Sequence, residues 1–218
     1  MNIVSVNVGL PREVLWRGMP VLTGIFKDPV DGPVMIRTIN LDGDKQADLM
    51  VHGGAGKAVY AYPAEHYDYW RNELPGVTFP WGKFGENLTT EGLSEDTLHI
   101  GDRLRVGSAL LTVTQPRMPC YKLGIKFERD DMVKLFLASG RTGFYFSVEE
   151  EGEVRAGSKV EVLSRDPNQV TVSDITRLYV GNTPDPDLLR RATTTAALPQ
   201  SWKSYLLERA QQRGRRTG

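Results

Sequence analysis

The chain has 218 residues, 40% of them hydrophobic, enough for one large domain or one domain with a small appendage. Its 27 basic and 27 acidic residues cancel, which excludes a global field steering it to nucleic acid, a membrane surface or an acidic partner; any charge-driven binding is local. A single cysteine excludes an internal disulfide, the start "MNIVSVNVGLPREV" lacks a secretory pattern, and no run approaches the roughly 20 apolar residues that cross a bilayer, so the chain reads as soluble and cytoplasmic, with no membrane partner.

Residues 1–165 are dominated by short alternating runs punctuated by glycine and proline, which predicts a β-rich domain. Val4, Val6 and Val8 alternate with Ser5 and Asn7 in the first run. The segment "YPAEHYDYWRNEL" predicts a helix opened by its proline, with His66, Tyr69 and Trp70 on one face. Leu104 and Val106 alternate with Arg103 and Arg105, and Leu111 and Val113 with Thr112 and Thr114, across a "VGSA" break that reads as a hairpin turn. A second helix is predicted over "ERDDMVKLFLASG", with acids at its start, Met132, Leu135 and Phe136 on one side and Gly140 as its stop. "FYFSV" and "KVEVL" read as further strands.

After about Arg165 the pattern changes to three short helices, "VSDITRLYVG", "TPDPDLLRRATTT" and "LPQSWKSYLLERAQQRG", with Ser173, Thr183 and Pro199 as their start signals. The expected organisation is therefore a domain over 1–165 and a three-helix domain over 166–218. From Arg165 onward 9 basic residues face 5 acidic ones, a basic tail on an acidic body.

Three stretches could carry chemistry. In "QPRMPCYKLG" the prolines stiffen the loop while Arg117 and Lys122 favour the thiolate of Cys120, so Cys120 is either a nucleophile or metal ligand, or a small buried hydrophobe. In "HGGAGKAVYAYP", His52, Gly53, Gly54 and Lys57 offer backbone amides and a cation to an anion, or make a tight turn; the spacing is not that of a phosphate-binding P-loop. In "WGKFGENLTTEGL", Gly85, Glu86 and Asn87 place a carboxylate and an amide on a tight bend, or form a surface turn. His52, His66 and His99 share no metal-ligand spacing, His66 packs on its helix and His99 takes an exposed strand position; no paired cysteines and no "GxSxG" elbow are present.

Taken in order, "HGGAGKAVYAYPAEHYDYW", "GKFGENLTTEGL", "IGDRLRVGSALLTVTQPRMPCYKLG" and "SGRTGFYFSVEEEGEVRAGSKVEVL" resemble the MOSC domain, named for the C-terminal domain of molybdenum cofactor sulfurase. The three C-terminal helices resemble the 3-alpha domain of its YiiM-like branch. The resemblance implies a mainly β fold, an antiparallel barrel of the pyruvate-kinase type with a few helices. It implies that Cys120 coordinates molybdenum or carries sulfur, with molybdopterin as the cofactor. Lys57 with Gly53 and Gly54, and Arg117 or Lys122, would meet the cofactor's phosphate, while Glu86 and Asn87 would bond the pterin or orient a metal ligand. The implied reaction is reduction of N-hydroxylated compounds such as 6-N-hydroxylaminopurine, with Glu86 or His52 as proton donor. Without a flavin, nicotinamide or iron-sulfur fingerprint, electrons would come from a separate redox protein, for which the basic C-terminal helices offer a docking site. A Cys120 persulfide serving sulfur transfer is the alternative. A helix-turn-helix-like nucleic-acid contact through Arg190, Arg191, Arg209 and Arg213 is a third, against which the modest local charge argues. A homodimer is compatible with all three.

Overall fold

The computed structural model describes residues 1–47, 54–181 and 185–217, with side chains as far as Gln212. The chain opens with β1 (Asn2–Val8), the hairpin β2 (Arg12–Trp16) and β3 (Met19–Thr23), and the short β4 (Asp28–Pro29) and β5 (Val34–Ile36). A 3₁₀ turn (Ala55–Lys57) leads into β6 (Val59–Pro63) and α1 (Glu65–Glu73), followed by β7 (Leu88–Glu91), β8 (Arg103–Val106) and β9 (Ala109–Pro116). Then come α2 (Tyr121–Phe127), α3 (Met132–Ser139), β10 (Phe144–Glu150), β11 (Gly152–Val154), β12 (Val160–Ser164), α4 (Val172–Val180), α5 (Pro186–Thr194) and α6 (Gln200–Thr217).

Eight strands form one sheet in the order β12-β8-β9-β10-β6-β7-β1-β4, mixed because β6 and β7 run parallel while the other neighbours are antiparallel. The barrel takes the form of a curled sheet without a closed ladder among the described residues. Its ends meet at the bridge between Asn2 and Lys159, where the Ile3 N–H donates to the Ser158 carbonyl (2.9 Å) and the Gly157 N–H to the Ile3 carbonyl (2.8 Å). Gly157 turns the chain there at φ +83°, so β1 meets only the approach to β12, which goes on to pair with β8.

β6 is buried along its whole length and divides two cores. Its alternation sends Val59 and Ala61 into the larger apolar core and Tyr60 and Tyr62 into an aromatic cluster with Tyr67, Trp70, Phe84, Phe127 and Phe136. Tyr62 stacks on Phe84 at 4.3 Å and accepts from the Trp70 indole N–H at 2.7 Å, which packs α1 and α3 on the outer face of the strand.

The first run departs from the expected alternation. Ser5 and Asn7 are buried, and Val4 and Val8 are only partly so, because Ser5, Asn7 and Thr89 form a hydrogen-bonded chain between β1 and β7. His66 does more than pack on its helix, since its Nε2 bonds Glu95 at 2.8 Å. His99 is partly buried rather than exposed; it forms an isolated antiparallel bridge with Thr171 just before β8 and lies against the buried Asp102. α4 is capped by Thr171 in a reciprocal box with Asp174 rather than by Ser173, and Asp185 caps α5, the suggested Thr183 lying outside the described residues. Pro199 sits where expected, its carbonyl accepting from the Trp202 N–H at the start of α6 (3.0 Å). Ile175, Leu178, Leu188, Ala192, Leu198 and Leu206 join the same apolar core as the sheet. No helix among the described residues is long and apolar enough to cross a membrane.

Candidate functional site

Cys120 ends the β9–α2 connection as the N-cap of α2, in extended conformation, with its carbonyl accepting from Leu123 (2.9 Å) and its side chain half-buried. It lines a cleft of about 700 Å³, counted with its open mouth. The walls come from the segment after β3 (Thr23 to Lys27), the 44–47 segment, Lys57, Tyr60 of β6, the Gly85–Asn87 bend, Arg117 to Cys120, Lys122 of α2 and Tyr145 of β10. These are far apart in sequence. The curl of the sheet brings them together.

Among the described residues of the lining, Lys27, Lys45, Lys57, Arg117 and Lys122 stand with one carboxylate, Asp44. Lys27 is committed to that carboxylate in a buried pair, which Asn87 Nδ2 (2.9 Å) and the Gly9 N–H (3.1 Å) complete. Burial pushes the Lys27 ammonium below its ordinary range, and Asp44 opposes that shift. Burial likewise lowers Lys57.

Arg117 is the most informative of these cations. Its side chain is 6% exposed and stands 5.4 Å over the Tyr60 ring and 5.1 Å over Phe136, yet Nη1 is buried without a hydrogen-bond partner among the described residues. A guanidinium keeps its charge in any protein and carries five N–H donors, so a buried nitrogen left unsatisfied costs about 1–3 kcal/mol or more. Together with the cations of the described lining, it suits the place to an anion.

The sequence-predicted residues divide. Cys120, Lys57, Asn87, Arg117 and Lys122 are brought together in the cleft. Asn87 acts through its partners, accepting from the Tyr60 N–H (3.1 Å) and donating to Asp44. Gly54 is exposed at the start of the 3₁₀ turn, with φ 99°, and does not line the cleft. His52 and Gly53 lie outside the described residues.

Glu86 stands apart from the cleft. Its carboxylate is fully buried and accepts from the Tyr67 hydroxyl, the Gly82 N–H (2.8 Å), the Phe84 N–H (3.0 Å) and Thr89 Oγ1 (3.0 Å). Burial pushes its pKa up and these donors pull it back. A carboxylate so engaged ties the bend together from behind the cleft wall.

Sequence reasoning missed Asp44, Lys27, Lys45, Gln46, Tyr60 and Tyr145. Tyr145 sits in "FYFSV", which reads as a strand, but nothing in that run says which face meets a cavity, and Tyr60 stands in "HGGAGKAVYAYP", which reads as an anion-binding stretch or a tight turn. Asp44 stands in "LDGDKQAD", which reads as an ordinary turn.

Comparison with known proteins follows the same lines. The MOSC domain profile matches residues 48–161 and that of the YiiM-like, 3-alpha helix domain residues 170–213. Protein YflK of Bacillus subtilis (strain 168) is 40% identical over 208 residues, covering 95% of this chain and 94% of its own. A protein named reductase from Gibberella moniliformis (strain M3125 / FGSC 7600) is 32% identical over 179 residues, which are 81% of this chain but 32% of that one. The crystal structure of YiiM from Geobacillus stearothermophilus matches with a TM-score of 0.79 at 32% identity, covering 96% of this chain and 98% of the other.

Proposed function

We propose that this chain, which belongs to the MOSC domain family in its YiiM-like branch, is a molybdenum-cofactor-dependent reductase of N-hydroxylated compounds. The observation that carries the reading is the Arg117 Nη1, buried without a hydrogen-bond partner among the described residues, in a cation-rich cleft that also presents Cys120. The donor set fits the group: one soft thiolate for a metal whose other sulfurs come from the pterin, and fixed cations for the pterin's phosphate. The reductase name of the Gibberella relative agrees with the reaction class.

In this reading Cys120 is the protein's thiolate to molybdenum. Arg117 binds the phosphate, aided by Lys57 and Lys122, and Asn87 keeps Asp44 and Lys27 locked together at the wall. Bound there, the cofactor supplies two-electron redox chemistry. The overall change is R–NHOH plus two electrons and two protons to R–NH2 plus water, with a separate redox protein as the electron source.

The test is protein made in a host that synthesises the cofactor. The expected outcome is about one molybdenum per chain, reduction of N-hydroxylated bases with an artificial electron donor, and loss of both in Cys120→Ala. Wild-type protein that comes out metal-free from such a host, with cyanide-releasable sulfur on Cys120, would replace the reductase with a sulfur carrier.

A further inference from the structure

The cleft's 3₁₀ turn is hydrogen-bonded to the C-terminal helices through the Gln115 side chain. Gln115, near the end of β9 and 3% exposed, donates from Nε2 to the Gly56 carbonyl (3.1 Å) and accepts at Oε1 from the Trp202 indole N–H of α6 (2.5 Å). Gly56 lies inside the turn that ends at Lys57, and Lys57 lines the cleft. A Cβ on Gly56 would stand 3.7 Å from Pro199 Cγ, so the start of α6 abuts the turn directly.

The chemistry of the indole makes this contact directional. Its N–H only donates, so it forces the oxygen of the Gln115 amide to face α6 and thereby the NH2 to face Gly56. The other donor to the Gly56 carbonyl, Thr114 Oγ1 (2.6 Å), has one proton and also reaches the Tyr145 carbonyl (3.1 Å). The acceptor-only Gly56 carbonyl favours the same amide orientation, so the indole acts as the second anchor that holds the Gln115 side chain in place against the turn. On the far side the turn is held by Gln46 Nε2, which donates to the Lys57 carbonyl (2.9 Å).

We infer that Trp202 is a positioning residue for the cleft: through Gln115 it fixes the turn that carries Lys57, and this is one task of the C-terminal helices. The inference rests on the reading of the cleft as an anion site, and inorganic phosphate is the probe that separates the two.

Calorimetric titration of cofactor-free protein with phosphate is expected to show binding by wild type. Trp202→Phe, which keeps an aromatic ring and removes the donor, is expected to weaken it on the order of tenfold, the worth of one well-placed hydrogen bond. Gln115→Met is expected to weaken binding by a similar factor, and the double variant by no more than either alone, because both break one connection. A purely structural role would lower the melting temperature and leave the phosphate affinity of the folded fraction unchanged. Should Trp202→Phe fail to fold, Gln115→Met carries the same test. Equal phosphate affinity in wild type and the folded variants would overturn the latch. No phosphate binding by wild type would overturn the anion-site reading beneath it.

Discussion

Arg117 and Glu86 are both buried charges, and they separate function from stability. Arg117 has a nitrogen with no hydrogen-bond partner among the described residues, whereas the Glu86 carboxylate is satisfied from within the protein. Replacing Arg117 with methionine removes an uncompensated donor and keeps an apolar stem between Tyr60 and Phe136. The expected result is a melting temperature equal to or above wild type, with phosphate affinity reduced at least about tenfold, checked by thermal melts beside calorimetric titration. Glu86→Ala leaves two backbone N–H groups and two hydroxyls without their acceptor, and is expected to cost about 3–5 kcal/mol in a urea melt. Since its carboxylate lies behind the wall, the milder Glu86→Gln is expected to leave the pH profile of reduction by the folded enzyme unchanged. A shifted profile would return Glu86 to proton transfer.

At the scale of elements, α2 shows what was legible and what was not. The "QPRMPCYKLG" stretch reads as a stiff loop, but the helix that begins at Tyr121 leaves a faint trace: it has seven residues and holds a glycine inside it. Gly124 is there because a Cβ would approach the Arg129 carbonyl to 2.8 Å, a contact between a turn and the helix that no local pattern announces. The strands of β8 and β9 were legible because one face is apolar and the other polar. β1 was misread because its polar residues are buried and bonded to one another. The cleft was half legible: its thiol and three of its cations lie in conspicuous loops, while Asp44, Lys27 and the tyrosines become neighbours only through the curl of the sheet. α2 also contributes Lys126, whose Nζ donates to the carbonyls of Ile25 (2.9 Å) and Gly82 (2.5 Å) and so joins the segments forming two walls of the cleft. Burial lowers its pKa from the ordinary 10.5 to about 7, with Glu86 partly opposing. Between those values the unfolded chain binds a proton that the folded protein has released, so folding is favoured progressively as pH rises through this window. Lys27 shifts in the same direction. Stability is expected to increase on the order of 3 kcal/mol from pH 7 to pH 10 on this account, and denaturant melts of Lys126→Met are expected to show a flatter dependence.

At the scale of the whole molecule, the question is whether sheet and C-terminal helices are two folding units or one. The profile matches fall on two stretches, but the apolar core runs through both. Ile175, Leu178, Leu188, Leu198 and Leu206 are each at most 7% exposed within that core. At roughly 1.5–3 kcal/mol for each fully buried aliphatic side chain, they contribute a gross stabilisation of about 10 kcal/mol, comparable with the entire net stability of an ordinary domain. Trp202 adds a polar tie at the same junction. Neither part can therefore lose the other and keep its core. Far-UV circular dichroism and tryptophan fluorescence are expected to report coincident urea transitions for the full chain, and a fragment ending at Arg165 is expected to show no cooperative transition. Two resolved transitions, with the fragment reproducing the one at higher urea, would instead establish an autonomous sheet domain and reduce the helices to an accessory that acts on the cleft through Trp202 alone.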